Sequence, residues 1–408
     1  MNMRLAIIGG GAAGMMASVF AARKGIAVDL YERNEKTGKK LYITGKGRCN
    51  LTNACDMEGL LGSVKSNPKF LYSAFYGFTN QDAMDFFEKE GLRLKVERGM
   101  RVFPESDRSA DVLDTLRRAM KKAGVQVHLH SRVERIRREG DRFFLELQGQ
   151  KTAEADRVFV ATGGLSYEST GSTGDGYRFA EELGLQVTDC CPSLVPFQIK
   201  EAFVKELQGL ALKNTAVRVV DGKKVLCEDF GELLFTHFGV SGPVILTASS
   251  VCAKKIRKKE LRLLLDLKPA LTKEQLDARI LREFEAAKNK KFANAASVFF
   301  PARLAPVMVS LSGIPSDKRV NEITKAERQR FLEKMKELEL TITGLRGYNE
   351  AVITKGGVSV KEIDPATMES KKVPGLYFIG EVLDLDAVTG GFNLQIAWST
   401  AVAAARSV

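Results

Sequence analysis

Hydrophobic positions follow two rhythms along this chain, and the changes from one to the other outline its organisation. Residues 4–8 are an apolar run of strand length, followed by six small residues from Gly9 to Gly14 and a proline-free stretch to Lys24 that reads as a helix. Gly25 ends that helix, and residues 27–32 read as a second strand closing on Glu32. Helical spacing returns at 79–91, with Thr79 as N-cap and Phe86 and Phe87 inward, and at 109–124, with Ser109 as cap and Gly124 as stop. Strand-length runs occupy 125–129, 131–136, 143–147, 157–161 and 375–381. From about 191 to 267 the pattern shifts to short β-prone runs broken by turns such as Asp221-Gly222, as in a small β domain. Residues 272–291 and 324–338 are amphipathic helices, each opened by a capping box, Thr272 with Gln275 and Thr324 with Glu327. A strand at 338–343 and a helix from about 391 to 405 close the chain.

The first thirty residues carry the most specific chemistry. Gly9, Gly11 and Gly14 give the spacing G-x-G-x-x-G between a strand and a helix, and Glu32 stands eighteen residues past the last glycine. Gly9 permits the tight turn, Gly11 lets backbone approach a pyrophosphate, and Gly14 lets helix and strand pack closely. The helix N-terminus offers unpaired N–H groups to phosphate, and an acid at the end of the next strand suits a ribose hydroxyl. A dinucleotide site follows from that context. Three further stretches have ligand-binding character: the glycine-rich basic loop at 44–53, the strand running into Ala161-Thr162-Gly163, and a strand ending in Gly380-Glu381. After that last strand, Asp384, Asp386 and a Gly390-Gly391 turn lead into the closing helix, as a second polyanion or polyol site would require.

Composition narrows the class. The 408 residues are 44% hydrophobic and 27% charged, as in ordinary globular proteins, and no apolar run is long enough to span a membrane. Six scattered cysteines make neither a disulfide framework nor a zinc site, so no metal is expected and a reducing cytoplasm fits. The first strand is expected to begin almost at residue 1, so no signal peptide is expected. A net charge of +12 and a pI near 9.3 raise the possibility of an RNA partner. The densest basic runs, at 254–262 and 117–122, are short and lack interleaved aromatics, and they fit a solvated surface.

These motifs together resemble the two-dinucleotide-binding-domain flavoproteins. More narrowly they resemble the bacterial aminoacetone-oxidase-like family, also called the YhiN or BaiN family. The resemblance rests on TGKGRCNLTN at 44–53, TGSTGDGY at 170–177, LFTHFGVSGP at 234–243 and the glycine-rich ending from residue 353 onward. It implies an α/β fold, with a discontinuous Rossmann-like FAD-binding domain (1–190 and 345–408), an inserted β-barrel-like domain (191–267 with 338–344) and a small helical subdomain (268–337). It also implies FAD as cofactor. The cofactor-facing positions expected on both grounds are Gly9, Gly11, Ala12, Ala13, Gly14, Glu32, Arg33, Lys40, Gly47, Arg48, Cys49, Asn50, Val133, Ala161, Thr162, Gly163, Gly380, Glu381, Asp384, Gly391, Asn393 and Leu394. Phe392 and Trp398 are expected beside the flavin end, where they would tune substrate choice.

Members of that family include an oxidase of small amino ketones and a pyridine-nucleotide-dependent reductase of unsaturated 3-oxo bile acids. The leading expectation is therefore an oxidoreductase in which NADH or NADPH is a transient electron donor and a carbonyl-conjugated C=C bond is the acceptor. The substrate would be a small molecule, anionic and partly apolar, such as a steroid acid. That chemistry needs a group to polarise the carbonyl and an acid to protonate carbon, and Arg48, Tyr167 and His237 are of suitable type. No second G-x-G-x-x-G unit provides a nicotinamide domain, which keeps an oxygen-using amine oxidase as the alternative. A third reading is an RNA-associated flavoprotein. The leading reading carries no nucleic-acid or membrane partner, and it leaves the oligomeric state open.

Overall fold

The strand Arg4–Ile8 is the middle of a five-stranded parallel sheet, and every other part of the N-terminal motif hangs from it. The computed structural model describes residues 3–408. The strand order is Leu376–Phe378, Arg157–Val160, Arg4–Ile8, Ala27–Tyr31, Gln126–His128. Ile8 pairs with Tyr31 on one side and Val160 on the other, and Val160 pairs with Phe378, so the carboxyl ends of four strands finish in register. Such an edge is where open parallel sheets bind ligands. The helix Ala12–Arg23 follows the central strand directly and packs beside the C-terminal helix Phe392–Ser407. Both are alanine-rich, which lets them approach closely. An antiparallel three-stranded meander, Val133–Glu139, Arg142–Leu147 and Lys151–Ala155, completes this part.

The chain divides into two compact units, one comprising the residues up to Ser193 with Tyr348–Val408, the other Leu194–Gly347. In the second unit six antiparallel strands close a barrel, in the order Phe197–Ile199, Gly239–Ser241, Lys224–Phe235, Ala211–Asp221, Leu261–Asp266, Leu338–Leu345. The helical stretch shares one hydrophobic core with that barrel. Phe331, on the helix Lys325–Lys336, meets Phe284, Phe292, Phe299 and Phe300 at centroid distances of 5.2 to 6.3 Å, favourable aromatic separations. The α/β class, with a Rossmann-like sheet, a closed barrel and helices, is as the sequence implies.

Both expected capping boxes form, and so does a third at Thr79 with Asp82. Two local expectations are corrected. Arg108, not Ser109, is the N-cap of the helix Ser109–Ala123, because the Ser109 hydroxyl donates instead to the Tyr42 carbonyl at 2.5 Å. Within the β-prone region a helix, Pro243–Ile256, also forms, with proline at its first position, where no N–H is needed.

Candidate dinucleotide site

A cavity opens at the carboxyl edge of the parallel sheet, and all its lining residues belong to the first unit. The glycine turn shapes its floor. Gly9 has φ +106°, and a Cβ there would lie 2.5 Å from the Ala161 carbonyl oxygen. A Cβ on Gly14 would come within 1.9 Å of the Gly9 carbonyl oxygen, so this glycine sets the contact between helix and strand. Around Gly11 a Cβ would meet nothing within 4 Å. Backbone there faces open space at the start of the helix Ala12–Arg23, whose first N–H groups have no side-chain cap. Exposed N–H groups at a helix N-terminus next to free volume form a cradle for phosphate.

Glu32 is buried at 7% exposure and braces this turn. One carboxylate oxygen accepts the Gly10 N–H at 2.8 Å, and the other accepts from the Asn34 backbone and side chain at 2.9 and 2.7 Å. A carboxylate has about four acceptor sites. Glu32 can therefore hold the turn and still accept from a hydroxyl in the cavity.

Beyond Glu32 the wall is cationic. Arg33 donates to Thr173 at 2.6 Å and to Asp175 at 3.3 Å, and Arg132 reaches the other Asp175 oxygen at 3.0 Å. One carboxylate thus fixes two guanidinium groups against the cavity. Elsewhere on the wall, Lys40 Nζ meets the Glu381 carboxylate at 2.6 Å, and the second Glu381 oxygen accepts the Thr354 N–H at 2.9 Å.

Of the expected cofactor positions, Gly9, Gly11, Ala12, Ala13, Glu32, Arg33, Lys40, Val133, Ala161, Thr162, Gly163, Glu381, Asn393 and Leu394 line the cavity. Gly14, Gly47, Arg48, Cys49, Asn50, Gly380, Asp384 and Gly391 do not. Two of these glycines are packing positions. A Cβ on Gly391 (φ +96°) would sit 2.3 Å from the Thr52 carbonyl oxygen, and one on Gly380 would sit 2.9 Å from the Ala13 Cβ. The Cys49 side chain is fully buried in the core rather than turned to the cavity, and burial pushes its thiol up to about 12.

The three residues considered for proton transfer are also outside the lining. Arg48 bridges Glu97 and Asp107, with contacts of 2.5 Å to each, and lies over the Phe103 ring at 4.2 Å. Tyr167 adopts φ +55°, and its N–H bonds to the Tyr348 carbonyl. His237 belongs to the barrel unit, where its exposed ring stacks edge-on against Phe238 at 4.9 Å. Trp398 is corrected too: it is fully buried, donates to the Leu51 carbonyl at 2.8 Å and packs on Phe87. Helical periodicity turns Asn393, Leu394 and Ala397 toward the cavity, while Trp398 goes into the core.

Residues that sequence reasoning missed include Gly10, Thr44, Ser131, Arg132, Asp175, Val352 and Ile353. Asp175 was within reach, because it lies in the glycine- and hydroxyl-rich motif at 170–177. Arg132 had no such signal.

Residues 3–407 match the family described as HI0933-like protein Rossmann domain. The chain belongs to that family. Over 408 residues it is 33% identical to the 3-dehydro-bile acid delta(4,6)-reductase of Clostridium scindens, covering 99% of this chain and 98% of that one. It is 34% identical to the ribosomal RNA dihydrouridine synthase of Escherichia coli, with 98% and 97% of the two chains covered. The protein of the same name from Haemophilus influenzae is 32% identical, again covering 98% and 97%. This HI0933-like protein is thus a member of a family of FAD-dependent oxidoreductases. Among the described residues no group of three or more metal-ligating side chains converges, and no helix is long and apolar enough to cross a membrane.

Proposed function

We propose that this flavoprotein catalyses NAD(P)H-linked reduction of a C=C bond conjugated to a carbonyl. The observation that carries this reading is the pair of full-length relatives. The name of one describes reducing a 3-oxo steroid diene, that of the other saturating uridine, and both reactions add two hydrogens across a C=C bond beside a carbonyl.

FAD fits the cavity. The open N–H groups near Gly11, Ala12 and Ala13 would hold its pyrophosphate, Glu32 a ribose hydroxyl, and Val133 with Arg132 the adenine end. Lys40 and Glu381 would face the ribityl chain. Once bound, FAD supplies a ring that takes hydride from a reduced pyridine nucleotide and delivers it to the acceptor. The protein must then supply a donor to the acceptor carbonyl and a proton to the neighbouring carbon. Arg48 already serves two carboxylates, and we assign it to anchoring the 44–53 loop. Tyr167 and His237 remain the candidates for proton transfer.

A second reading concerns the substrate alone. Uracil is itself a carbonyl-conjugated C=C acceptor, and the net charge of +12 favours a uridine carried in RNA.

The test is anaerobic mixing of the purified protein with NADPH or NADH while the flavin absorbance is followed. Bleaching by either, reversed by a 3-oxo-Δ4 steroid acid or a uridine-containing RNA, is the expected result. Bleaching by amino ketones only, with recovery in air, would replace the reductase with an oxidase.

A further inference from the structure

Positive charge is divided unequally between the two units. Leu194–Gly347 holds 28 Lys and Arg against 18 Asp and Glu, a net charge of +10, whereas the rest of the chain holds 34 against 32. Within the barrel unit the excess is concentrated further. The turn at 221–224 and the segment 254–262, which ends the helix Pro243–Ile256 and enters the strand Leu261–Asp266, hold eight cations against Asp221 and Glu260.

These two segments are held side by side. Asp221 accepts from Lys255 at 3.3 Å and from Lys259 at 2.6 Å, and Arg262 donates to the Gly222 carbonyl at 3.0 Å. Asp221 is the carboxylate at the centre, and it is shared between two lysines. Glu260 turns to Lys200 at 3.6 Å. Lys223, Lys224, Lys254 and Lys258 are exposed, and among the described residues none of the four has a carboxylate partner.

Helix-dipole stabilisation accounts for only part of this arrangement. Lysines in the last turn suit the partial negative charge of a helix C-terminus. Lys223 and Lys224 sit on a hairpin turn with no helix to complement. Lys258 lies beyond Ile256, the last residue of the helix Pro243–Ile256, in the turn that follows, where the terminal carbonyls account for it less well. A cluster whose members repel one another, with its few carboxylates already engaged, is complementary to an external polyanion.

We infer that the 221–224 turn and the 254–262 segment together form a docking face for the phosphate backbone of single-stranded RNA. The inference rests on the reading above that a uridine in RNA is an acceptor. Reduction of a pyrimidine requires access to the face of the ring, so the base must be unstacked, and a single strand satisfies that. The face supplies the sequence-independent, salt-dependent part of recognition.

The test is a fluorescence-anisotropy titration of the FAD-loaded protein with a short, labelled, uridine-containing single-stranded RNA over a series of KCl concentrations. One variant carries Lys223→Glu, Lys224→Glu, Lys254→Glu and Lys258→Glu. A charge-matched control carries Lys273→Glu, Lys290→Glu, Lys291→Glu and Lys325→Glu, all exposed positions of the helical stretch. Each phosphate contact adds about 0.7 to the slope of log K against log salt, so the first variant should lower that slope by about 2 to 3 and weaken binding at least roughly tenfold. The control should keep the wild-type slope. Equal losses in both variants, no loss in either, or no RNA binding by the wild type would each overturn the proposal, as would retention by anionic phosphatidylglycerol vesicles but not by RNA. Glutamine versions of the same four substitutions serve if the glutamate set does not fold, judged by flavin content. Bleaching by NADPH with turnover of a free enone but no RNA binding would remove the docking face and leave the reductase. RNA binding without reduction of any C=C bond would do the reverse.

Discussion

Lys40 Nζ lies 2.6 Å from the Glu381 carboxylate on the cavity wall, although 341 positions separate the two residues in the chain. The contact ties the segment following Glu32 to the short turn Gly380–Val382, just after the last strand of the sheet. Both side chains are about a fifth exposed, 23% and 22%, so the pair itself stabilises the fold by about 1 kcal/mol or less. Its larger effect should be on the ligand. Lys40→Met is expected to weaken FAD binding by about tenfold, the loss of one charge-assisted hydrogen bond, with little change in melting temperature. Glu381→Gln keeps an acceptor for the Thr354 N–H and should weaken it less. Reconstitution titrations of the apoprotein give both numbers, and equal affinities for wild type and Lys40→Met would exclude the contact from the cofactor wall.

Two glycines of the same turn should respond in opposite ways. Gly14→Ala places a Cβ within 1.9 Å of the Gly9 carbonyl oxygen, and neighbouring backbone cannot yield without separating helix from strand. A loss of about 1–3 kcal/mol, or failure to fold, is expected. Gly11→Ala meets nothing within 4 Å, so the protein should fold with an unchanged melting temperature while its flavin-to-protein ratio falls. Full flavin content in Gly11→Ala would mean that no phosphate approaches this backbone.

Trp398 gives a prediction about stability rather than specificity. Trp398→Phe leaves the buried Leu51 carbonyl without its 2.8 Å donor, which should destabilise the protein by about 1–3 kcal/mol in chemical denaturation. Relative rates with different enone acceptors should not change. A shifted acceptor preference would place the indole at the site after all.

The Cys49 thiol makes a pH prediction whose sign is fixed. Burial pushes it up from the ordinary value near 9 to about 12. Below about 9 both folded and unfolded chains keep the proton, and the stability is fully present. Between about 9 and 12 the unfolded chain releases a proton that the folded chain retains, so stability falls as pH rises. From pH 8 to 10.5 wild type should lose about 1–2 kcal/mol more than Cys49→Ala, measured by urea denaturation. Parallel curves for the two proteins would show the thiol to be solvated.

How much of the site could be read in advance follows from where its information resides. The turn from Gly9 to Gly14, and Glu32 at the end of the next strand, are local: steric rules for glycine and the length of one βαβ unit fix them, and they were legible. The capping boxes at Thr272 and Thr324 are local in the same way. Lys40 with Glu381, and Arg132 with Arg33 on Asp175, are set by sheet topology, and no spacing along the chain encodes them. The 44–53 loop misled for a related reason. Its cations read as ligand-binding, but Arg48 is neutralised by Glu97 and Asp107, which reach it only in the folded chain. Trp398 misled because a helix beside a site has another side, and periodicity alone does not say which side faces the cavity.

The parallel sheet also sets an order of events during synthesis. Arg157–Val160 receives its outer neighbour, Leu376–Phe378, only after the whole of Leu194–Gly347 has been translated. Until then the nascent protein shows a hydrophobic strand with an unpaired edge, which is the feature most prone to pairing with another chain. The intervening unit is continuous in sequence and can fold while its surroundings wait. Ribosome stalling or truncation between residues 347 and 376 would therefore release a species with a finished barrel and an unfinished sheet, the form most in need of a chaperone.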